Sequence, residues 1–261
     1  MLMANFKISE DSWLDVQHEG KPIRILKKAV IDGFKPSILG LGDISMPSKS
    51  VATVAAVFDL ARFTQFCGQL DPNLSVPAYL TKFLSWLMNQ LKKETIQTEY
   101  PEGSTVWHPL PFFTKFMGDG LLVLWAANSL NTTSRNNLII SLKSICQNYE
   151  LHLLPQLKSI IVAPPPSLRC GVARGTVYSV GDGADYIGGC INMAARIQKL
   201  PGITFAFNRR GFDLEENPNV AKEFVVRKVA IRGINDAELL AVLRSDLETM
   251  DADVAGIYEL P

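Results

Sequence analysis

An apolar run, Val51-Ala-Thr-Val-Ala-Ala-Val-Phe58, that stops at Asp59 constrains this chain more than any other segment. Such a run, rich in β-branched residues, predicts a strand over 51–59 with a carboxylate at its end. A second segment complements it. Phe112–Phe116 and Leu121–Trp125 flank Gly118-Asp119-Gly120, and glycines around an aspartate permit the positive φ angles of a tight hairpin turn. A carboxylate at a strand end and another in a hairpin turn can converge on a pair of divalent metal ions. Such a pair orients a triphosphate and stabilises the attacking and leaving oxygens of an in-line displacement. Taken singly, each aspartate is more often a plain turn or strand-end residue.

The remaining pattern predicts helices interleaved with strand pairs. Ser75 reads as an N-cap with Pro77 in the first helical turn, followed by Tyr79, Leu80, Phe83, Leu84, Leu87, Met88 and Leu91 at three- and four-residue spacing. Pro101 to Pro111 reads as loop. A long helical pattern runs from about Arg135 to Ser159 and is closed off by Pro164-Pro-Pro166. Arg169–Ala173 and Thr176–Val180 read as a hairpin through Arg174-Gly175, and 188–199 as a helix with Ile191, Ala194, Ala195 and Ile197 mostly on one side. Strands are expected at 204–207, 223–231 and 238–243. Upstream, 23–26 is a candidate strand and 40–50 a loop, in which Gly40-Leu-Gly42 is a turn rather than a phosphate loop. The expectation is a ferredoxin-like α/β sandwich, a mixed and mainly antiparallel sheet with helices packed on one face. Residues 1–50 form an N-terminal extension and 51–261 the main domain.

Composition removes several function classes. At 261 residues and 47% hydrophobic, the chain can bury a full core. Lysine and arginine together number 26, as do aspartate and glutamate, so no global field recruits nucleic acid or an anionic membrane. Phosphate binding then has to come from a few placed residues. Cys67, Cys146, Cys170 and Cys190 lack CxxC spacing, which predicts reduced thiols and a cytoplasmic protein. No secretory-signal layout or membrane-spanning apolar stretch is read from the sequence. His18, His108 and His152 are too scattered for a zinc site.

Four segments, FDLARFT (58–64), KFMGDG (115–120), RCGVARGTV (169–177) and DYIGGCINMAAR (185–196), in this order and spacing resemble the catalytic domain of class III nucleotide cyclases. The resemblance spans about 51–243. It implies that Asp59, Asp119 and the carbonyl of Leu60 hold two divalent ions, Mn²⁺ or Mg²⁺. It implies that Asn192 orients the ribose, that Arg196 stabilises charge developing on the phosphates, and that Lys115 and Asp185 read the base. Arg232 falls where the family usually carries a phosphate-binding lysine; it keeps the charge and changes the geometry. Family sites are shared across a head-to-tail dimer, so a homodimer with two shared sites is expected, with a nucleoside triphosphate as substrate.

Lys115 with Asp185 is the family's adenine-selecting pair. Arg62, where the family usually has glycine, adds a bulky cation beside Phe63 and the metal strand. That feature, the segment 67–87 and the stand-alone format resemble the bacterial pyrimidine cyclases of Pycsar antiphage systems. UTP is therefore the expected substrate, with ATP the alternative and CTP after it. The Pycsar resemblance further implies a role in antiphage defence and a separate effector protein that senses the product. A catalytically inactive cyclase-like dimer would erode the metal and transition-state positions, and all four of Asp59, Asp119, Asn192 and Arg196 are present. A diguanylate cyclase needs a GG[DE]EF turn, and GGCIN at 188–192 is not one.

Overall fold

The computed structural model describes residues 8–69, 72–213 and 217–261. In chain order the elements are β1 (Trp13–His18), β2 (Lys21–Leu26), α1 (Lys28–Asp32), β3 (Ser50–Leu60), α2 (Phe63–Cys67) and α3 (Pro72–Thr95). There follow β4 (Ile96–Tyr100), β5 (Gly103–Val106), β6 (Phe113–Phe116), β7 (Gly120–Ala126), α4 (Thr132–Asn148) and α5 (Leu154–Lys158). The last are β8 (Leu168–Val180), β9 (Asp185–Ile187), α6 (Gly189–Ile197), β10 (Phe205–Asn208), α7 (Pro218–Glu223), β11 (Phe224–Ile231), β12 (Asn235–Leu243), α8 (Arg244–Glu248) and α9 (Ala252–Ala255). They fall into two compact units, one made of residues 1–51 with 178–187, the other of 52–177 with 188–261.

In the first unit β1 and β2 pair antiparallel from Trp13↔Leu26 to His18↔Lys21, so the strand expected at 23–26 is half of a hairpin. The loop expected at 40–50 is pinned at its end. The Ser179 N–H donates to the Lys49 carbonyl at 2.9 Å, the Lys49 N–H to Ser179 Oγ at 2.9 Å, and Ser48 Oγ to the Ser179 carbonyl at 2.7 Å. The Gly40–Gly42 stretch is a turn with both glycines at positive φ. β9 pairs with the end of β8, Tyr178↔Ile187 to Val180↔Asp185.

The second unit holds the main sheet, in the order β11-β12-β10-β8-β3-β7-β6. Its inner part, β8-β3-β7-β6, places fourth, first, third and second strands side by side, the ferredoxin-like arrangement expected from the sequence. Antiparallel pairs dominate, and β10 runs parallel to β8. β3 lacks polar alternation because both its faces are covered. Val54, Ala56, Phe58 and Leu60 pack with Tyr79, Phe83 and Leu87 of α3 and with Leu138, Leu142 and Ile145 of α4, while Ala55 and Val57 are buried on the other side. α6 covers part of that other side. A Cβ on Gly171 of β8 would lie 2.2 Å from the Ala194 carbonyl oxygen, so helix and strand touch backbone to backbone.

Four local expectations are corrected. Residues 169–180 are one continuous strand, β8, not a hairpin. Gly175 is required there because its Cβ would stand 2.9 Å from Cys190 Cβ of α6; the glycine admits a helix rather than a turn. The segment 101–111 is not all loop, since Gly103–Val106 pairs with β4 as a two-stranded ribbon. The helix with Ser75 as its expected cap starts earlier, leaving Pro77 inside it at the cost of one backbone bond. Leu70 and Asp71, in the connection before it, lie outside the described residues. Finally α4 begins at Thr132, where the Asn131 side chain accepts from the Ser134 N–H at 2.8 Å, and helical structure continues through a π turn (Tyr149–Leu153) into α5.

A buried hydroxyl chain ties these helices to the loop after α5. Tyr79 and Tyr149 share a 2.8 Å hydrogen bond, and the Tyr149 hydroxyl donates to the Pro165 carbonyl at 2.6 Å. Burial pushes the Tyr149 phenol up to about 12, so it stays a donor at any physiological pH. Two residues on from Pro165, the Ser167 carbonyl accepts the Ala61 N–H at 3.0 Å. The loop thereby braces the chain where it leaves β3.

Candidate active site

β3 and β7 bring the two aspartates together. Asp59 pairs with Gly120 in the antiparallel register, and the Leu60 N–H donates to the Asp119 carbonyl at 3.3 Å. Gly118 takes φ +83 to make the turn. Gly120 has no alternative, because a Cβ there would stand 2.0 Å from the Phe58 carbonyl oxygen. Asp59 is buried, and desolvation raises its carboxyl above the ordinary range, with the Asp119 charge adding to the rise. Two cations oppose this: Arg169, whose Nη2 donates to Asp59 Oδ2, and Lys199 at the end of α6. The result is a buried carboxylate beside a second carboxylate, an arrangement that favours a bound cation.

Arg169 lies within a motif segment, yet the sequence reading gave it no role. Its signal was an arginine near the start of β8, legible only once β8 is placed beside β3.

Asn192 and Arg196 occupy one face of α6. Cys190, Met193, Ala194 and Ile197 are buried on the opposite face, so both polar side chains point away from the sheet and are exposed. The Arg196 guanidinium rests against the β11–β12 turn, with Nη2 3.5 Å from where a Gly233 Cβ would stand. Gly233 follows Arg232 directly, so these two arginine positions share one neighbourhood. Lys115 is exposed on the edge strand β6, opposite Leu122. Asp185 belongs to the other unit, where its Oδ1 accepts the N–H of Tyr186 at 2.9 Å.

Arg62 and Phe63 divide in role. The Phe63 ring packs into the aromatic cluster, with centroids 5.8 Å from Phe66 and 6.3 Å from Tyr79, which leaves its backbone rather than its ring for a ligand. Arg62 is exposed and takes φ +60, a left-handed conformation that costs a non-glycine residue about 1–2 kcal/mol. Replacing Arg62 by glycine is expected to relieve this strain and raise Tm by about 2–4 °C in thermal unfolding, net of the added chain entropy.

Among the described residues no cluster of three His, Cys, Asp or Glu side chains could hold a metal ion. The Asp59/Asp119 pair nonetheless fits magnesium or manganese. Such ions take oxygen donors and keep positions for water and substrate phosphates, so two carboxylates and a nearby carbonyl suffice as the protein's share. The cysteines are free, and none of the described helices is long and apolar enough to cross a membrane.

No protein-family profile and no curated protein matches this chain. Solved structures do. A bacterial light-regulated adenylyl cyclase superposes with a TM-score of 0.51 at 16% identity over 88% of this chain, which spans 64% of that chain's length. The dimeric guanylyl cyclase domain of a rhodopsin fusion protein from the aquatic fungus Blastocladiella emersonii gives 0.49 at 13% identity, over 76% of this chain and 96% of that one. An adenylate/guanylate cyclase/hydrolase from Silicibacter pomeroyi gives 0.48 at 12% identity, over 76% and 98%. The chain shares its α/β fold with the light-regulated adenylyl cyclase structure.

Proposed function

We propose that this protein is a nucleotide cyclase that converts a nucleoside triphosphate to a 3′,5′-cyclic nucleotide and pyrophosphate. The observation that carries the proposal is the convergence of Asp59 and Asp119 beside Arg169 at one end of the β3–β7 pair. In the reaction the ribose 3′-oxygen attacks the α-phosphorus. A new 3′-oxygen–phosphorus bond forms, the bond to the β-phosphate bridging oxygen breaks, the 3′-hydroxyl proton leaves, and pyrophosphate departs. Asp59, Asp119 and the Leu60 carbonyl would hold two divalent ions, which would supply Lewis-acid stabilisation of the attacking and leaving oxygens.

The chain's own residues position and neutralise. Arg169 donates to Asp59 Oδ2 and so keeps a guanidinium beside that carboxylate. Asn192 orients the ribose, and Arg196 with Arg232 stabilises charge building on the phosphates. Asn192 and Arg196 face away from the sheet that carries Asp59, and this supports a homodimer in which each chain lends that helical face to its partner's metal site. Two symmetric sites follow.

The base is read by Lys115 and Asp185. We assign UTP as the preferred substrate because a bulky Arg62 follows closely after the metal strand, where it could narrow a base pocket, with ATP the rival. An ionised Asp185 accepts from an amine, which suits adenine or cytosine, whereas Lys115 can donate to the O4 carbonyl of uracil. A pyrimidine product would suit a second-messenger synthase in antiphage defence that signals to a separate effector protein. Competition among equal concentrations of the four nucleoside triphosphates with Mn²⁺, followed by product identification, tests the base. Cyclic UMP should dominate; predominant cyclic AMP sinks the pyrimidine assignment, and predominant cyclic CMP retains it but refutes UTP. The Arg62→Gly variant should shift product toward cyclic AMP.

A further inference from the structure

We propose that a cleft lined by Arg135, Arg174 and Arg209, away from the residues assigned to nucleotide cyclisation, binds a small phosphate-bearing anion. The cleft has a volume of about 400 Å³. Its three arginines come from three separate elements: the first turn of α4, the middle of β8 and the turn after β10. Among the described residues Asp213 is the carboxylate of its lining, so three positive charges there meet one negative. Like charges do not converge in this way without cost, and an anion offsets it.

Two of the arginines have defined neighbours. The Arg174 backbone N–H donates to Asn208 Oδ1 at 3.2 Å, and the Arg174 side chain crosses Gly211, where a Cβ would stand 2.3 Å from Nη1. Gly211 takes φ +78, a conformation glycine adopts freely. Arg135 Nη2 donates to Thr132 Oγ1 at 3.0 Å, while its Nε is buried and makes no hydrogen bond among the described residues. A buried donor without an acceptor is a place where a ligand oxygen is missing. Thr132 opens α4, a 17-residue helix, so the positive end of its dipole adds to the same cleft.

A tetrahedral phosphate fits better than a carboxylate, since it offers oxygens in several directions to guanidinium forks arriving from three elements. A nucleic acid is disfavoured by the equal totals of 26 basic and 26 acidic residues. Glu215 and Glu216 follow Asp213 closely in the sequence, and neutralising them tests whether the chain supplies its own anion.

The test is calorimetric titration of the full chain with inorganic pyrophosphate at constant ionic strength, with EDTA present so that the metal site takes no part. Saturable binding is expected. Arg174→Gln and Arg209→Gln should each weaken it at least tenfold without lowering Tm, Arg209→Lys should weaken it less, and Arg196→Ala should leave it unchanged. Absence of saturable binding overturns the proposal, as does binding lost in Arg196→Ala but kept in Arg174→Gln. Binding gained only in the Glu215→Gln/Glu216→Gln double variant also overturns it, because the occupant would then be internal.

Discussion

Asp59→Asn and Asp119→Asn should each lower cyclic nucleotide formation by at least about a thousandfold, the scale expected when charge stabilisation in a two-metal displacement is lost. The choice of asparagine matters at position 59. Asp59 accepts a hydrogen bond from Arg169, and its side chain is only 8% exposed. Alanine there orphans a guanidinium whose own side chain is 24% exposed. Breaking a buried pair costs about 3–5 kcal/mol, so about 2–3 kcal/mol is expected for this partly exposed one. At about 2–4 °C per kcal/mol, Asp59→Ala should lose several degrees of Tm. Asparagine keeps an acceptor for Arg169, so Asp59→Asn should separate catalysis from folding. Asp119 sits in the turn and supplies its backbone carbonyl to Leu60 whatever its side chain, so alanine and asparagine at 119 should behave alike. Near-normal turnover in either asparagine variant would remove the two-metal mechanism.

Mixing inactive Asp59→Asn with inactive Arg196→Ala should restore activity to about a quarter of wild type. Random pairing makes half the dimers mixed, and each mixed dimer has one of its two sites intact. The physical basis is the face presented by α6. Its buried side seals against β8 through Gly171 and Gly175, and Arg196 lies on the side turned away. Activity of mixtures after proven subunit exchange is the measurement. No recovery would mean that each site is built within one chain, whether or not the protein dimerises.

The positions proposed to carry the chemistry stood out in the sequence because each sits where local rules are strict. Asp59 ends a run whose lack of polar alternation follows from burial on both faces of β3, and Asp119 sits between glycines that a hairpin and a 2.0 Å approach demand. Asn192 and Arg196 stand four residues apart, which places them on one helical face. What the sequence hid was mostly tertiary. The Arg174-Gly175 pair looks like a turn locally, and only the presence of α6 shows that Gly175 is a contact glycine inside a long strand. The role of Arg169 depends on β8 lying beside β3, a pairing between segments far apart in sequence. Phe63 carried a motif identity, but its ring answers to Phe66 and Tyr79 rather than to a ligand. Pro77 was given too much weight as a helix start, since an amphipathic face as long as that of α3 tolerates one missing backbone bond.

The most direct test of the central claim is product stoichiometry. The 261-residue chain incubated with UTP or ATP and Mn²⁺ should release one pyrophosphate for each 3′,5′-cyclic nucleotide formed, identified by mass and by chromatography against authentic standards. Release of orthophosphate and a nucleoside diphosphate, or triphosphate bound and recovered intact, would contradict it.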